Sequence, residues 1–363
     1  MSEKHMANSC ARIKICFVKR ITVMILLVSM IFGGCTPASS DKEGAGDVVV
    51  SNDTVKVGFS QLGAESDWRR ANTDSILGEL TKEAGYTLYY EDAQQKQANQ
   101  AMAIRRFIQQ GMDYIVVAPV TEVGWDNVLL EAKQAGIPVI LIDRMVDVKD
   151  MSLYSCWIGS DFRLEADKLC SWMQQLFEKK SLKPEEIHIA HLQGTEGASA
   201  QIGRTGGIDA AVRRNGWDLV AREGGDFTQV KGREVTERLL RTYPDINVIY
   251  SENDNMALGA LEAIEGAGRK PGSDIANGEI MVVSFDGVSE EAMKKLSSGE
   301  ISCIAECYPM HGPYVKSAIE MFETGSLPGK KSYVTEGIYS AETSITQVYV
   351  GSKDYPVTIM RKQ

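Results

Sequence analysis

From Val55 onward the chain alternates between two kinds of segment. Short apolar runs rich in β-branched residues stand at 55–60, 87–90, 114–118, 138–143, 155–159, 187–192, 219–221, 248–251, 281–285 and 302–305. Between them lie stretches of helical period. In 99–110, for instance, Ala101, Ile104, Phe107 and Ile108 are spaced to share a face; 125–135, 162–178, 200–214, 231–242 and 253–266 read likewise. Runs apolar on both faces, separated by amphipathic helices, are the pattern of parallel strands covered on both sides. So many strands fit two doubly wound sheets better than one, and the expected class is α/β with two Rossmann-like lobes.

In open parallel sheets a ligand sits beyond the carboxyl ends of the strands. The residues standing there are unusually polar. "GAESDWRR" (63–70) follows the first strand and carries Glu65, Asp67, Trp68, Arg69 and Arg70, where a plain reversal would use Gly, Asn, Pro and Ser. Asp143 and Arg144 follow "PVILI"; "GTEGAS" (194–199) follows "IAHLQ", with Arg204 just inside the next helix. Glu252, Asn253 and Asp254 follow "VIYS", Asp286 follows "VVSF", Glu306 follows "CIA", and Phe227 lies on a loop. Taken singly, each of these residues serves equally well as a helix cap or a loop ion pair. Their convergence at several strand ends points to a ligand. Carboxylates that accept from adjacent hydroxyls, arginines that donate in a fork, and aromatic faces for C–H surfaces together suit a neutral polyhydroxy compound.

Enzyme classes are less well supported. The chain has no GxSxG elbow, P-loop, GxGxxG after a strand, or HExxH. His188 and His191 form HxxH, but on a strand i and i+3 point to opposite faces, so no metal pair is expected. His311, near a helix start, carries no special assignment. A carboxylate pair such as Glu65 and Asp286 is compatible with glycoside cleavage, but nothing selects it. No cofactor and no catalytic residue are expected.

The amino-terminal segment changes the setting. Residues 1–34 contain a basic stretch, an apolar run from Ile21 to Phe32 and Gly33-Gly34 before Cys35. That pattern reads as a signal peptide, with an uncleaved N-terminal anchor as the alternative, and "IFGGC" resembles a bacterial lipobox, which implies cleavage before Cys35 and lipidation of that cysteine. Residues 35–53 read as a polar tether. Removing five basic residues and one acidic one takes the formal net charge from −10 to −14. An acidic body argues against nucleic-acid binding. Cys156, Cys170, Cys303 and Cys307 lack CxxC spacing and read as buried thiols, one disulfide being compatible with export.

From Val55 to about Thr346 the chain resembles the periplasmic sugar-binding proteins of ABC importers, and within them the galactofuranose/galactose-binding branch. The resemblance rests on "VGFSQLGAESDWR", "QQKQANQ", "VAPVTEVGW", "LIDRMVDVKDMSLY", "LQGTEGAS", "GDFTQVKGREV" and "NDNMALGA". It implies two lobes joined by a three-strand hinge, with 54–160 plus 308–336 in the first and 161–307 plus 337–363 in the second. It assigns Glu65, Trp68 and Arg69 to the first wall of a sugar cleft and Asp143 and Arg144 to the same lobe's grip on ring hydroxyls. Arg204, Asn253, Asp254 and Asp286 would answer from the second lobe, Phe227 would stack, and Glu306 would touch the sugar from a hinge crossing. Asp67 and Arg70 would face water. Glu196 in "GTEGAS" is a carboxylate beyond the branch's pattern. The implied protein is a monomeric, lipid-anchored, extracytoplasmic solute-binding protein that hands a monosaccharide to a membrane permease. A sensor presenting the sugar to a chemoreceptor or kinase ectodomain is the alternative.

Overall fold

The computed structural model describes residues 54–361; the expected signal segment, Cys35 and the whole of the expected tether fall outside the described residues. The first lobe runs β1 (Val55–Gln61), α1 (Asp67–Glu79), β2 (Tyr86–Asp92), α2 (Gln97–Gln109), β3 (Tyr114–Val117), α3 (Asp126–Gln134), β4 (Val139–Ile142) and β5 (Cys156–Gly159). The second runs α4 (Phe162–Lys179), β6 (His188–Gln193), α5 (Ser199–Asn215), β7 (Asp218–Gly224), α6 (Gln229–Thr242), β8 (Val248–Ser251), α7 (Asp254–Gly266), β9 (Met281–Asp286), α8 (Glu290–Ser298) and β10 (Cys303–Glu306). The chain then returns to the first lobe with α9 (Gly312–Glu323) and β11 (Lys331–Tyr333), and ends in the second with β12 (Ile338–Ser340), β13 (Gln347–Val350), β14 (Lys353–Pro356) and β15 (Thr358–Ile359).

The six-stranded sheet has the order β11-β5-β4-β3-β1-β2, all parallel; the seven-stranded sheet has β15-β12-β10-β9-β8-β6-β7, antiparallel only between β10 and β12. Five consecutive strands in each sheet share the order 2-1-3-4-5, so each has a switch point beside its first strand, where a doubly wound sheet opens a crevice. β3, β4, β8 and β9 are buried along their whole length, which is why they read as unbroken apolar runs. The short strands from β11 onward lack that signature: Lys331, Tyr333, Lys353 and Asp354 are exposed.

Local features aim both lobes at the gap between them. Asp161 caps α4 by accepting from the Leu164 amide (3.0 Å), and α4 buries Phe162, Ala166, Leu169, Trp172, Met173 and Leu176 along one stripe. Burial of side chains of this size contributes about 1.5–3 kcal/mol each, which pins the helix. Glu165 lies in that stripe. At Gly207 of α5 an added Cβ would stand 2.2 Å from the Ala166 Cβ, so glycine permits the close crossing of α4 and α5 that sets Glu165 against Arg204.

Candidate functional site

The strand-end residues meet in one cavity between the two sheets. It is lined by Glu65, Trp68, Arg69, Asp143 and Arg144 from the first lobe, and by Phe162, Arg204, Phe227, Asn253 and Asp286 from the second. Ser66, Ala200 and Cys307 complete the lining. Its empty space, open mouth included, is about 300 Å³. The lining side chains leave little free space inside it, so a ligand larger than water requires the walls to move.

On the first-lobe wall, Arg69 is the hub. Its Nη2 donates to Asp143 Oδ2 (2.5 Å), Nε to Glu65 Oε1 (3.3 Å) and Nη1 to Gln61 Oε1 (3.3 Å). Arg144 donates through Nη1 to the Val120 carbonyl (2.7 Å) and lies 3.5 Å from Glu65 Oε1. All four charged groups are buried. Burial alone would push the Asp143 carboxyl up, but Arg69 and Arg144 pull it below its ordinary value. Burial and the neighbouring Arg69 charge bring Arg144 down to about 10. Two carboxylates and two guanidiniums thus balance, yet Glu65 Oε2 and Arg144 Nε are buried without a hydrogen-bond partner among the described residues. Such unsatisfied atoms are costly, and here they belong to lining residues.

The second-lobe wall is built on Arg204. Its Nε donates to Glu165 Oε2 (3.0 Å), Nη2 to Asp286 Oδ1 (3.2 Å) and Nη1 to the Glu252 carbonyl. Two buried carboxyls, Glu165 and Asp286, share this one guanidinium, and the buried Asp254 adds like charge to Asp286. Burial pushes Asp286 up to about 8 against the pull of Arg204, with Asp254 and Glu165 adding like charge, and burial brings Asp254 to about 6. Groups whose folded pKa is raised hold their proton more tightly than the unfolded chain does. Their contribution to stability is therefore full below the ordinary value of 3.8 and is lost as pH rises through about 6 and about 8. The unfolding midpoint in urea should fall from pH 4 to pH 8, and Asp254→Asn should flatten the fall below pH 6. An unchanged pH profile in that variant would contradict this assignment.

Backbone conformation marks the same residues. Asp143 (φ +59°), Phe227 (φ +62°) and Asp286 (φ +94°) all adopt left-handed backbone without being glycine. Strain of about 1–3 kcal/mol at each position is tolerated where surroundings enforce it, and such positions concentrate at binding sites. Phe227 is held by Gly194, where an added Cβ would meet the ring at 1.9 Å. Asn253 donates from Nδ2 to the Phe227 carbonyl (3.1 Å) while its Oδ1 caps α7 through the Met256 amide (2.9 Å).

Contacts also join the lobes across the cavity. Trp68 Nε1 donates to the Cys307 carbonyl (2.7 Å), the Met145 amide to Ser199 Oγ (2.8 Å), and the Arg144 guanidinium lies over the Phe227 ring at 5.4 Å. The Asp67 amide donates to Asn255 Oδ1 (3.0 Å). This corrects the expectation that Asp67 faces water: it is half-buried at the junction of the lobes, whereas Arg70 is exposed.

Two other expected site residues lie outside the lining. Asp254 directs its carboxylate inward, accepting from the Val288 (3.0 Å) and Ser289 (3.2 Å) amides, because the first residue of α7 is already turned away from the cavity that its neighbour Asn253 faces. Glu306 Oε2 accepts from the Gly337 amide (2.6 Å), tying β10 to the start of β12, so Cys307 takes the lining position instead. The residues not anticipated are Glu165, Phe162, Cys307, Ser66 and Ala200. For Glu165 a signal existed: a carboxylate inside the apolar stripe of α4. The four cysteines of the described residues are buried and unpaired.

Two sheets with the same five-strand parallel topology, facing each other across a charged cavity and joined by three chain crossings, define a two-lobe binding protein. The chain belongs to the periplasmic binding protein domain family, which matches residues 57–310. It is 39% identical over 295 residues to the galactofuranose-binding protein YtfQ of Escherichia coli (strain K12), covering 80% of this chain and 89% of that protein. A Mycobacterium smegmatis protein solved in complex with β-D-fucofuranose superposes with a TM-score of 0.74 at 39% identity, over 79% of this chain and 91% of that one. The arabinose ABC transporter binding protein of Shewanella sp. ANA-3, bound to α- and β-L-arabinofuranose, gives 0.73 at 39% identity, over 80% and 93%.

Proposed function

We propose that this protein is an extracytoplasmic solute-binding component that captures one monosaccharide as its five-membered ring and delivers it to an ABC importer. The observation that carries the reading is the ionic cavity itself. Buried guanidinium–carboxylate sets from both lobes converge on it, with Glu65 Oε2 and Arg144 Nε left for a polar ligand. Furanose-binding relatives at 39% identity support the ring form. Trp68 and Phe227 serve as the flanking faces, and Glu65, Arg69, Asp143, Arg144, Arg204, Asn253 and Asp286 as hydroxyl partners. No covalent bond is made or broken. The walls close on the sugar by motion at the three crossings, the sugar favouring the closed state through contacts to both lobes. Lipidation at Cys35 keeps the monomer beside its permease. Titration calorimetry with galactose, arabinose, fucose, ribose and glucose tests the reading. Saturable heat is expected for galactose or another sugar with an accessible furanose form, and much less for glucose. Absence of binding across the panel would overturn it.

A further inference from the structure

The three crossings between the lobes are tied together by one side chain that is not part of the cavity lining. Glu336 lies on the last crossing, between β11 and β12. Its Oε1 accepts from Ser160 Oγ (2.5 Å), on the first crossing, and from the Tyr308 amide (2.8 Å), on the second. Lys168 of α4 donates to the Glu336 (3.0 Å) and Gly337 (3.2 Å) carbonyls, holding the backbone of this crossing against the second lobe. Glu336 therefore contacts or anchors every strand of the connection.

One of those bonds reaches the cavity. The Tyr308 amide and the Cys307 carbonyl belong to a single planar peptide unit. Its N–H donates to Glu336, and its C=O accepts the indole N–H of Trp68 at 2.7 Å. The peptide cannot rotate without breaking one bond or the other. Trp68 in turn stands edge-on to His311 with ring centroids 5.7 Å apart and 4.7 Å beneath the Arg69 guanidinium, the hub of the first wall. Cys307 is itself part of the lining, and its amide donates to the Asp286 carbonyl (3.0 Å).

We infer that Glu336 is a positioning residue for the sugar site: by fixing the Cys307–Tyr308 peptide it sets the orientation of Trp68 and couples that wall of the cavity to the hinge. The groups facing Glu336 fit this role. A Glu165 carboxylate oxygen and the Cys307 sulfur lie within 4.8 Å of a Glu336 oxygen, Glu165 is paired with Arg204, and Lys168 is engaged by backbone carbonyls. Burial, followed by the Glu165 charge, pushes the Glu336 carboxyl up to about 9, so near neutral pH it carries a proton and a glutamine reproduces its shape and its acceptor oxygen.

The inference rests on the sugar-binding reading of the cavity, but its test includes a readout that needs no sugar. Glu336→Ala and Glu336→Gln are made in the wild-type chain and in the Trp68→Phe variant. The expected result is a loss of affinity of at least tenfold for Glu336→Ala, near-wild-type affinity for Glu336→Gln, and a much smaller effect of Glu336→Ala in the Trp68→Phe background, because coupled residues are not additive. Without ligand, the difference in tryptophan emission between wild type and Trp68→Phe isolates the Trp68 signal, and this should shift to the red and quench more readily in Glu336→Ala but not in Glu336→Gln. Should Glu336→Ala fold poorly, Ser160→Ala removes one of the two bonds to the same oxygen and should move the Trp68 signal in the same direction. An unchanged Trp68 signal in Glu336→Ala, or equal losses in the wild-type and Trp68→Phe backgrounds, would overturn the inference. Failure of every variant, wild type included, to bind sugar would instead fault the reading of the cavity and leave the emission result to decide the role of Glu336.

Discussion

Arg204→Ala is expected to destabilise the protein by about 3–5 kcal/mol and to abolish sugar binding. The size follows from what is left behind. Arg204 is almost completely buried, and its guanidinium is the shared counter-charge of Glu165 and Asp286. It also donates to the Glu252 carbonyl and lies 4.6 Å from the Phe285 ring centre. Removing it leaves Glu165 and Asp286 buried without the donor that joins them, and whatever negative charge the pair carries must be quenched by a proton or by entering water. For a chain of this size the unfolding temperature should drop on the order of 10 °C. The charge argument has its own check. Glu165→Gln in the same chain removes one stranded carboxylate and should recover part of the loss, as expected of residues in direct contact. If Arg204→Ala unfolded within about 1 °C of wild type, the buried network would not have the energetic role described.

Arg144→Ala should act mainly on affinity. Its Nη1 is spent on the Val120 carbonyl and its Nη2 is only 3.5 Å from Glu65 Oε1, a carboxylate that Arg69 also serves, so deletion leaves no carboxylate without a counter-charge. Its Nε is buried with no hydrogen-bond partner among the described residues, and its guanidinium lies over Phe227 from the opposite lobe. It is therefore placed both to donate to a ligand and to help close the cavity. Hydrogen bonds to charged groups contribute about 1.5–3 kcal/mol. Loss of one or two such bonds should weaken binding by about a hundredfold or more. Arg144→Lys should not restore it, because an ammonium cannot reproduce the planar fork. Calorimetry showing wild-type affinity for Arg144→Ala would remove this residue from the site.

Much of this architecture was legible in the chain. β3, β4, β8 and β9 are buried throughout, so their apolar runs stood out, and the amphipathic helices between them implied parallel pairing. The wall residues were legible for a geometric reason: a parallel sheet delivers all its strand ends to one edge, so polar residues there must share a neighbourhood. The rule says which residues arrive at the edge and not where each side chain turns. Asn253 and Asp254 are adjacent, yet helix α7 starts between them and sends one side chain to the cavity and the other to the Val288 and Ser289 amides. Glu306 is similarly consumed by the Gly337 amide. Glu165 was marked only by its place in the apolar stripe of α4, and it reaches the network through a close α4–α5 crossing for which Gly203 and Gly207 leave room. The Asp67–Asn255 contact depends on how the lobes meet, which no local pattern encodes.

The central claim is that this cavity holds a sugar as a five-membered ring between the two charged walls. The most direct measurement is a crystal structure of the protein grown with galactose, at a resolution that separates the two ring forms. The account predicts a furanose ring between Trp68 and Phe227, hydroxyls bonded to Asp143 and Arg144 on one side and to Arg204 and Asp286 on the other, and a partner for Glu65 Oε2 or Arg144 Nε. A six-membered ring in the cavity would contradict the ring form, and a sugar bound elsewhere with these walls unengaged would contradict the site.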